Sequence, residues 1–164
     1  MAAVLRIIVT AVGDEPIIPC HFHPSDPRFS DLLQTTFHEL VRQSYIETTG
    51  ERPPVYRLTP EGWLEGLRQL GELEGQRIHE RATAIVNALK ARIKGRHSEE
   101  HFDVEALANE IGIPVGWVWN ALESNLLERL FPERGFDVVL DGRLIRIPRT
   151  FGMPPLDERD EDAL

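Results

Sequence analysis

One cysteine, Cys20, is all the thiol that this 164-residue chain carries. An intramolecular disulfide framework is therefore excluded, and a lone thiol fits a reducing compartment. Positive charge is scarce as well. Eighteen Lys and Arg stand against 27 Asp and Glu, a formal net charge of -9, whereas proteins that bind nucleic acid usually carry a positive field. Long apolar runs are missing too. The opening MAAVLRIIVTAV is too short to span a bilayer, has no basic region before it and carries Arg6 in its middle, so it reads as a buried helix. No targeting signal follows, and the expected location is the cytoplasm. The sequence contains no helical HExxH, no GxSxG elbow, no GK[ST] phosphate loop and no GxGxxG fingerprint, the motifs that would announce zinc hydrolysis, acyl transfer or nucleotide binding. Nothing ties a Ser, a His and an Asp together, so the chain does not read as an enzyme, and no cofactor is expected.

What is present suits a soluble protein. Hydrophobic residues make up 41% and charged ones 27%, enough for a packed core in one ordinary domain or two small ones. The acidity is uneven. The end PPLDERDEDAL has five acids against one Arg and almost no apolar residues, which predicts a disordered acidic tail over 153–164.

Along the chain, residues 1–12 predict a helix with Val4, Ile7, Ile8 and Ala11 on one face. Residues 13–27 hold Pro16, Pro19, Pro24 and Pro27 and read as an irregular connection. Ser30 is a candidate N-cap for the next helix, in which Leu33, Phe37, Leu40 and Val41 form a stripe. Tyr45, Ile46 and Glu47 suit a strand, GERPP a turn, and residues 55–58 the returning strand. Thr59-Pro60-Glu61 then has the order of cap, first-turn proline and first-turn acid that opens a helix. GELEG marks a boundary between domains. Beyond it, Ile78, Ala82, Ile85, Val86, Leu89 and Ile93 predict a long helix, and KGRHSEEHF a loop. Asp103 caps a short helix closed by Gly112, and Pro114 opens another that reaches about residue 130. Finally GFDVVLDGRLIRIP reads as two strands joined by Asp141-Gly142.

The order helix, connection, helix, hairpin thus occurs twice. On those residues the chain resembles winged-helix domains, the helix-turn-helix variant with a β-hairpin wing. DVEALANEIGIPVGWVWNALESNLL looks like a helix-turn-helix core, with Leu107 and Ala108 in its first helix, Gly112 in the turn, and Val118 and Leu122 facing inward. LLQTTFHELVRQSYIE with VYRLTPEGW is similar to the recognition helix, wing and closing helix of PadR-like and MarR-like bacterial regulators. The resemblance implies an α+β, mainly α chain of two consecutive winged-helix domains, 1–73 and 74–152, each a three-helix unit with a hairpin wing. It departs from the pattern in the proline-rich segment, where a short second helix should stand. It implies binding of double-stranded DNA as a transcriptional regulator, and pairing into a homodimer through an added helix such as 78–93. That helix's apolar face equally suits packing inside its own domain.

A recognition helix presents polar or cationic side chains to base edges and phosphates. In the first unit those positions are Gln34, Thr35 and His38. In the second, the outward positions are Val115, Gly116, Trp119, Asn120 and Glu123, of which Asn120 suits a base edge. Phosphate contacts would come from Lys90, Arg92, Lys94 and Arg96, from Arg143, Arg146 and Arg149 on the second wing, and from Arg52 at the tip of the first. Each of these arginines and lysines equally suits a solvated helix end or cross-strand pairing with acids. Trp117 and Trp119 lie two apart and cannot share a helical face. An exposed Trp there suits protein recognition better than base reading. A non-catalytic protein-interaction module of tandem winged helices, an assembly or chromosome-associated subunit, is therefore the alternative to a DNA-binding regulator. PCHFHPSD gathers Cys20, His21 and His23 with Asp26, residue types that bind zinc, but at no standard ligand spacing, so a plain surface loop stands beside a metal site. His97, Glu99, Glu100 and His101 make a weaker case.

Overall fold

A computed structural model describes residues 1–93, 100–148 and 150–153. The expected acidic tail beyond Met153, and Lys94, Arg96, His97, Glu99 and Arg149, lie outside the described residues.

The first element, α1 (Ala2–Gly13), buries Leu5, Ile8, Val9 and Val12, while Ile7 remains 40% exposed. The expected face of Val4, Ile7, Ile8 and Ala11 is thus rotated. In a helix apolar nearly all round, periodicity cannot choose a face, and packing does. Here the neighbour chooses. Gly66 lies against Val9, and the rings of Trp63 and Trp117 lie over Gly13.

The proline-rich segment holds more order than a loop. His21–Phe22 forms β1, and Pro27–Phe29 makes one 3₁₀ turn whose first N–H groups are served by Asp26. Arg28 pairs with Asp26 at 2.7 Å and Glu15 at 3.2 Å and donates to the Ala11 carbonyl, tying the segment to α1. Helix α2 (Gln34–Arg42) follows. Its N-cap is Leu33, and the expected cap Ser30 instead ends the 3₁₀ turn. Phe37 and Leu40 point inward, but Leu33 is 72% exposed and outside the stripe.

Strands β2 (Ile46–Thr48) and β3 (Tyr56–Leu58) pair antiparallel, and β1 adds to the other edge of β3, giving the order β1-β3-β2. At the corner after β3, the Thr59 hydroxyl accepts from the Gly62 N–H and donates to the Ser44 carbonyl, and α3 (Pro60–Arg68) begins. A Cβ at Gly62 would overlap the Tyr45 carbonyl, so the helix enters directly against the hairpin.

Helix α4 spans Glu72–Ile93. It starts six residues before the expected Ile78, so that all of GELEG but Gly71 lies in the helix. Ala82, Ile85, Val86 and Leu89 are buried in the chain's own core. Strand β4 (Glu100–Asp103) stands where part of a loop was expected. Asp103 then caps α5 (Val104–Ile111) by accepting from Ala106, and Gly112 closes it at φ 68°. The next expected helix is two: α6 (Val115–Glu123) and α7 (Leu126–Leu130). They part at Asn125, which sits in the left-handed region at φ 54°, a conformation Asn tolerates better than most residues. Strands β5 (Val139–Asp141) and β6 (Leu144–Ile147) close the chain. Asp141 pairs with Leu144, so the turn residues are Gly142 and Arg143 rather than Asp141 and Gly142. With β4 the order is β4-β6-β5.

The chain is α+β and mainly helical, with two small antiparallel three-stranded sheets. In both halves a helix leads to a strand, further helices and a hairpin whose last strand lies in the middle.

Candidate functional site

The two expected recognition helices, α2 and α6, have opposite environments. On α2, Gln34, Thr35 and His38 are exposed, and they lie on the face away from Phe37 and Leu40. Gln34 lines a shallow cavity of about 330 Å³ together with Pro53 and Pro54. The start of α2 therefore lies beside the β2–β3 turn that carries exposed Arg52. The charge around this face is mixed. Arg42 pairs with Glu39 at 2.6 Å, and Arg57 with Glu47 at 2.6 Å.

On α6 every residue from Val115 to Leu122 is buried. The expected outward face is therefore corrected at Val115, Gly116, Trp119 and Asn120. Trp119 is 8% and Asn120 4% exposed, and the Asn120 amide donates to the Gly116 carbonyl within its own helix at 2.7 Å. One side of α6 is covered by the first half of the chain. The Gly116 N–H donates to the Glu15 carbonyl at 2.9 Å, and a Cβ at Gly116 would overlap the Val12 carbonyl. Trp117 meets Trp63 edge-on, ring centres 6.0 Å apart, and Arg57 on β3 reaches Glu123 at 3.1 Å. Burial pushes the Glu123 carboxyl above its ordinary range, outweighing the pull of Arg57. The exposed Trp that sequence alone anticipated does not occur here, because both Trp117 and Trp119 are interior.

Of the expected phosphate-contacting cations in the second half, Lys90, Arg92 and Arg143 are engaged. Lys90 lies over the Phe136 ring at 4.8 Å. Arg92 lies over Phe102 at 4.9 Å and pairs with Glu110. Arg143, in the β5–β6 turn, pairs with Glu105 and stands 3.8 Å from Asp103. Arg146 is half-buried on β6, opposite His101 and Val139. Lys90 and Arg92 thus cover aromatic surface with their stems and heads, as long cationic side chains do, and the structure does not gather these groups with α2.

The Cys20 segment offers little chemistry. Cys20 is buried, and burial first of all pushes its thiol up to about 12, so the nucleophilic and metal-binding thiolate is suppressed at neutral pH. His21 is exposed on β1, and the His23 Nδ1 accepts from the Ser25 N–H. Among the described residues no three His, Cys, Asp or Glu are gathered to hold a metal ion, and no helix is long and apolar enough to cross a membrane.

Sequence reasoning missed the seam between the halves: Gly13, Glu15, Trp63, Gly116 and Trp117. The available signal was Gly116 beside two tryptophans in one short helix, a small residue where two backbones meet. No family model, curated protein or solved structure matches the chain.

Proposed function

We propose that this chain is a non-catalytic protein-interaction module of two winged helices held together as one body. The repeated helix-strand-helix-helix-hairpin order, with sheet orders β1-β3-β2 and β4-β6-β5, supports two winged helices. The observation that carries the choice of function is the burial of α6. A recognition helix must enter a groove about 12 Å wide with its polar residues outermost. Helix α6 is instead the main contact of the second half with the first, and undocking it would expose the Trp117 ring that lies against Trp63 and Gly13, at about 1.5–3 kcal/mol for a large side chain. The net charge of -9 adds long-range repulsion from a phosphate backbone.

The test is binding to random-sequence duplex DNA over a salt series. Flat, negligible binding at low salt is expected. Tight binding that weakens steeply with salt, as counterion release demands, would overturn the proposal.

A DNA-binding regulator remains the second reading, because Gln34, Thr35 and His38 are exposed next to the turn bearing Arg52. It requires binding through the first half alone. In that case Arg52→Ala lowers the salt slope by about 1 and His38→Ala relaxes sequence preference.

A further inference from the structure

Helix α1 is apolar nearly all round, yet only one of its sides lies in the core. In its sequence, AAVLRIIVTAVG, Arg6 is the single charge. A helix of that kind is ordinarily buried on every side. Here Leu5, Ile8, Val9 and Val12 are inside, while Ala3, Arg6, Ile7, Thr10 and, just past the end, Asp14 are exposed. Ala3, Ile7, Thr10 and Asp14 recur at alternating helical spacings of i+4 and i+3, so they form one stripe. Ile7, Thr10 and Asp14 line a shallow groove of about 460 Å³ with Arg6 and Ala11. Arg28 forms its other bank, with its charge taken up by Asp26 and Glu15.

The two outer charges of this face stand symmetrically. Arg6 and Asp14 lie one helical turn to either side of Thr10, about 12 Å apart along the axis. Among the described residues, no carboxylate lies within 4.0 Å of Arg6 and no cation within 4.0 Å of Asp14, which attracts Arg81 from farther off. Asp14 is also the C-cap of α1, and no basic residue stands in the last turn. A carboxylate at the negative end of a helix is unfavourably placed, and a cation brought there is favourable.

We propose that this face pairs with the same face of a second copy of the chain, α1 lying antiparallel to α1 about a two-fold axis at Thr10. Each Arg6 then comes opposite the partner's Asp14 and the negative end of the partner's helix. Both contacts form at once, as an isologous interface requires. Ile7 settles among the partner's Thr10, Ala11 and Asp14, and the small Ala3, Thr10 and Ala11 let the helices approach closely. A lipid surface fits the face less well. Anionic headgroups call for several cations, and the stripe offers one in a chain of net charge -9. The helix expected to pair two copies, 78–93, has its apolar face in the chain's own core. With one short helix on each side, pairing is concentration-dependent rather than obligate. The proposal goes beyond the function proposed above and does not rest on it, because neither α2 nor either hairpin lines the groove.

Sedimentation velocity of the full chain from about 1 to 500 µM tests this, in about 0.15 M salt to screen the repulsion between acidic copies. A monomer–dimer equilibrium is expected. Arg6→Asp and Asp14→Arg each set like charges together in both symmetric contacts, and each should weaken the dimer at least about tenfold. Mixed in equal amounts, the two variants should restore it, because every contact between unlike chains then joins opposite charges. Circular dichroism checks that the variants fold. Should Asp14→Arg unfold, Arg6→Asp must still lose the dimer while Arg52→Asp, on the β2–β3 turn, keeps it. A monomer at every concentration, a dimer that neither variant weakens, or a mixture that stays monomeric would overturn the proposal.

Discussion

At the scale of single residues, two glycines separate close approach from mere permissiveness. Gly116 has carbonyl oxygens of Val12 and Glu15 where a Cβ would be, whereas Gly75, inside α4, has nothing within 4 Å. Gly116→Ala should therefore cost about 1–3 kcal/mol, as overpacking does. Gly75→Ala should stabilise by about 0.5–1 kcal/mol through helix propensity. Urea melts of the two variants check both signs. Glu123 gives a pH prediction. Burial raises its carboxyl above the ordinary 4.5, so the folded chain holds that proton to higher pH than the unfolded chain does. Stability from this group is present at low pH and is lost as pH rises through the folded value. Compared with Glu123→Gln, the parent should lose stability progressively from about pH 4.5 upward, measured by thermal melts across pH 4 to 7. A gap between the two that stays constant with pH would contradict the desolvation of Glu123. Residue roles were the least legible part of the sequence. Asn120 and Trp119 are polar or amphipathic and read as outward, but Asn120 turns its amide onto the Gly116 carbonyl of its own helix and Trp119 is buried. Lys90 and Arg92 read as a cationic patch, and no pattern in the sequence told that Phe136 and Phe102 lie beneath them.

At the scale of elements, legibility followed how local the cause is. Caps and turns were readable because a few adjacent residues decide them: Thr59 before Pro60, Asp103 before α5, and Gly112 after it. Strands of two to four residues that form only by adding to a distant partner were not, as with β1 and β4, which pair with β3 and β6. The division of α6 from α7 at Asn125 escaped for a related reason, since apolar periodicity runs on through the break. The Thr59 corner is the element-level test. Its hydroxyl both caps α3 and holds the Ser44 carbonyl of the hairpin. Thr59→Ala should cost about 0.5–2 kcal/mol, the range of a lost N-cap, and urea melts should show a lower midpoint with an unchanged slope.

At the scale of the whole molecule, the two halves share one hydrophobic core rather than sitting side by side. Helix α1 begins the first half and is also the surface on which α6 of the second half lies. That arrangement turns the resemblance between the halves into a difference of role, with α2 facing outward and α6 taken up by the seam.

The docking of α6 on α1 is tested most directly at one amide. The first N–H groups of a helix have no partner within it and ordinarily exchange with solvent freely. The Gly116 N–H is in that position, yet donates across the seam to Glu15. Native-state hydrogen exchange should find it protected to nearly the same free energy as the amides of the α6 interior, released only when the two halves part. Rapid exchange at Gly116 while the interior amides of α5 stay protected would mean that the halves are not docked.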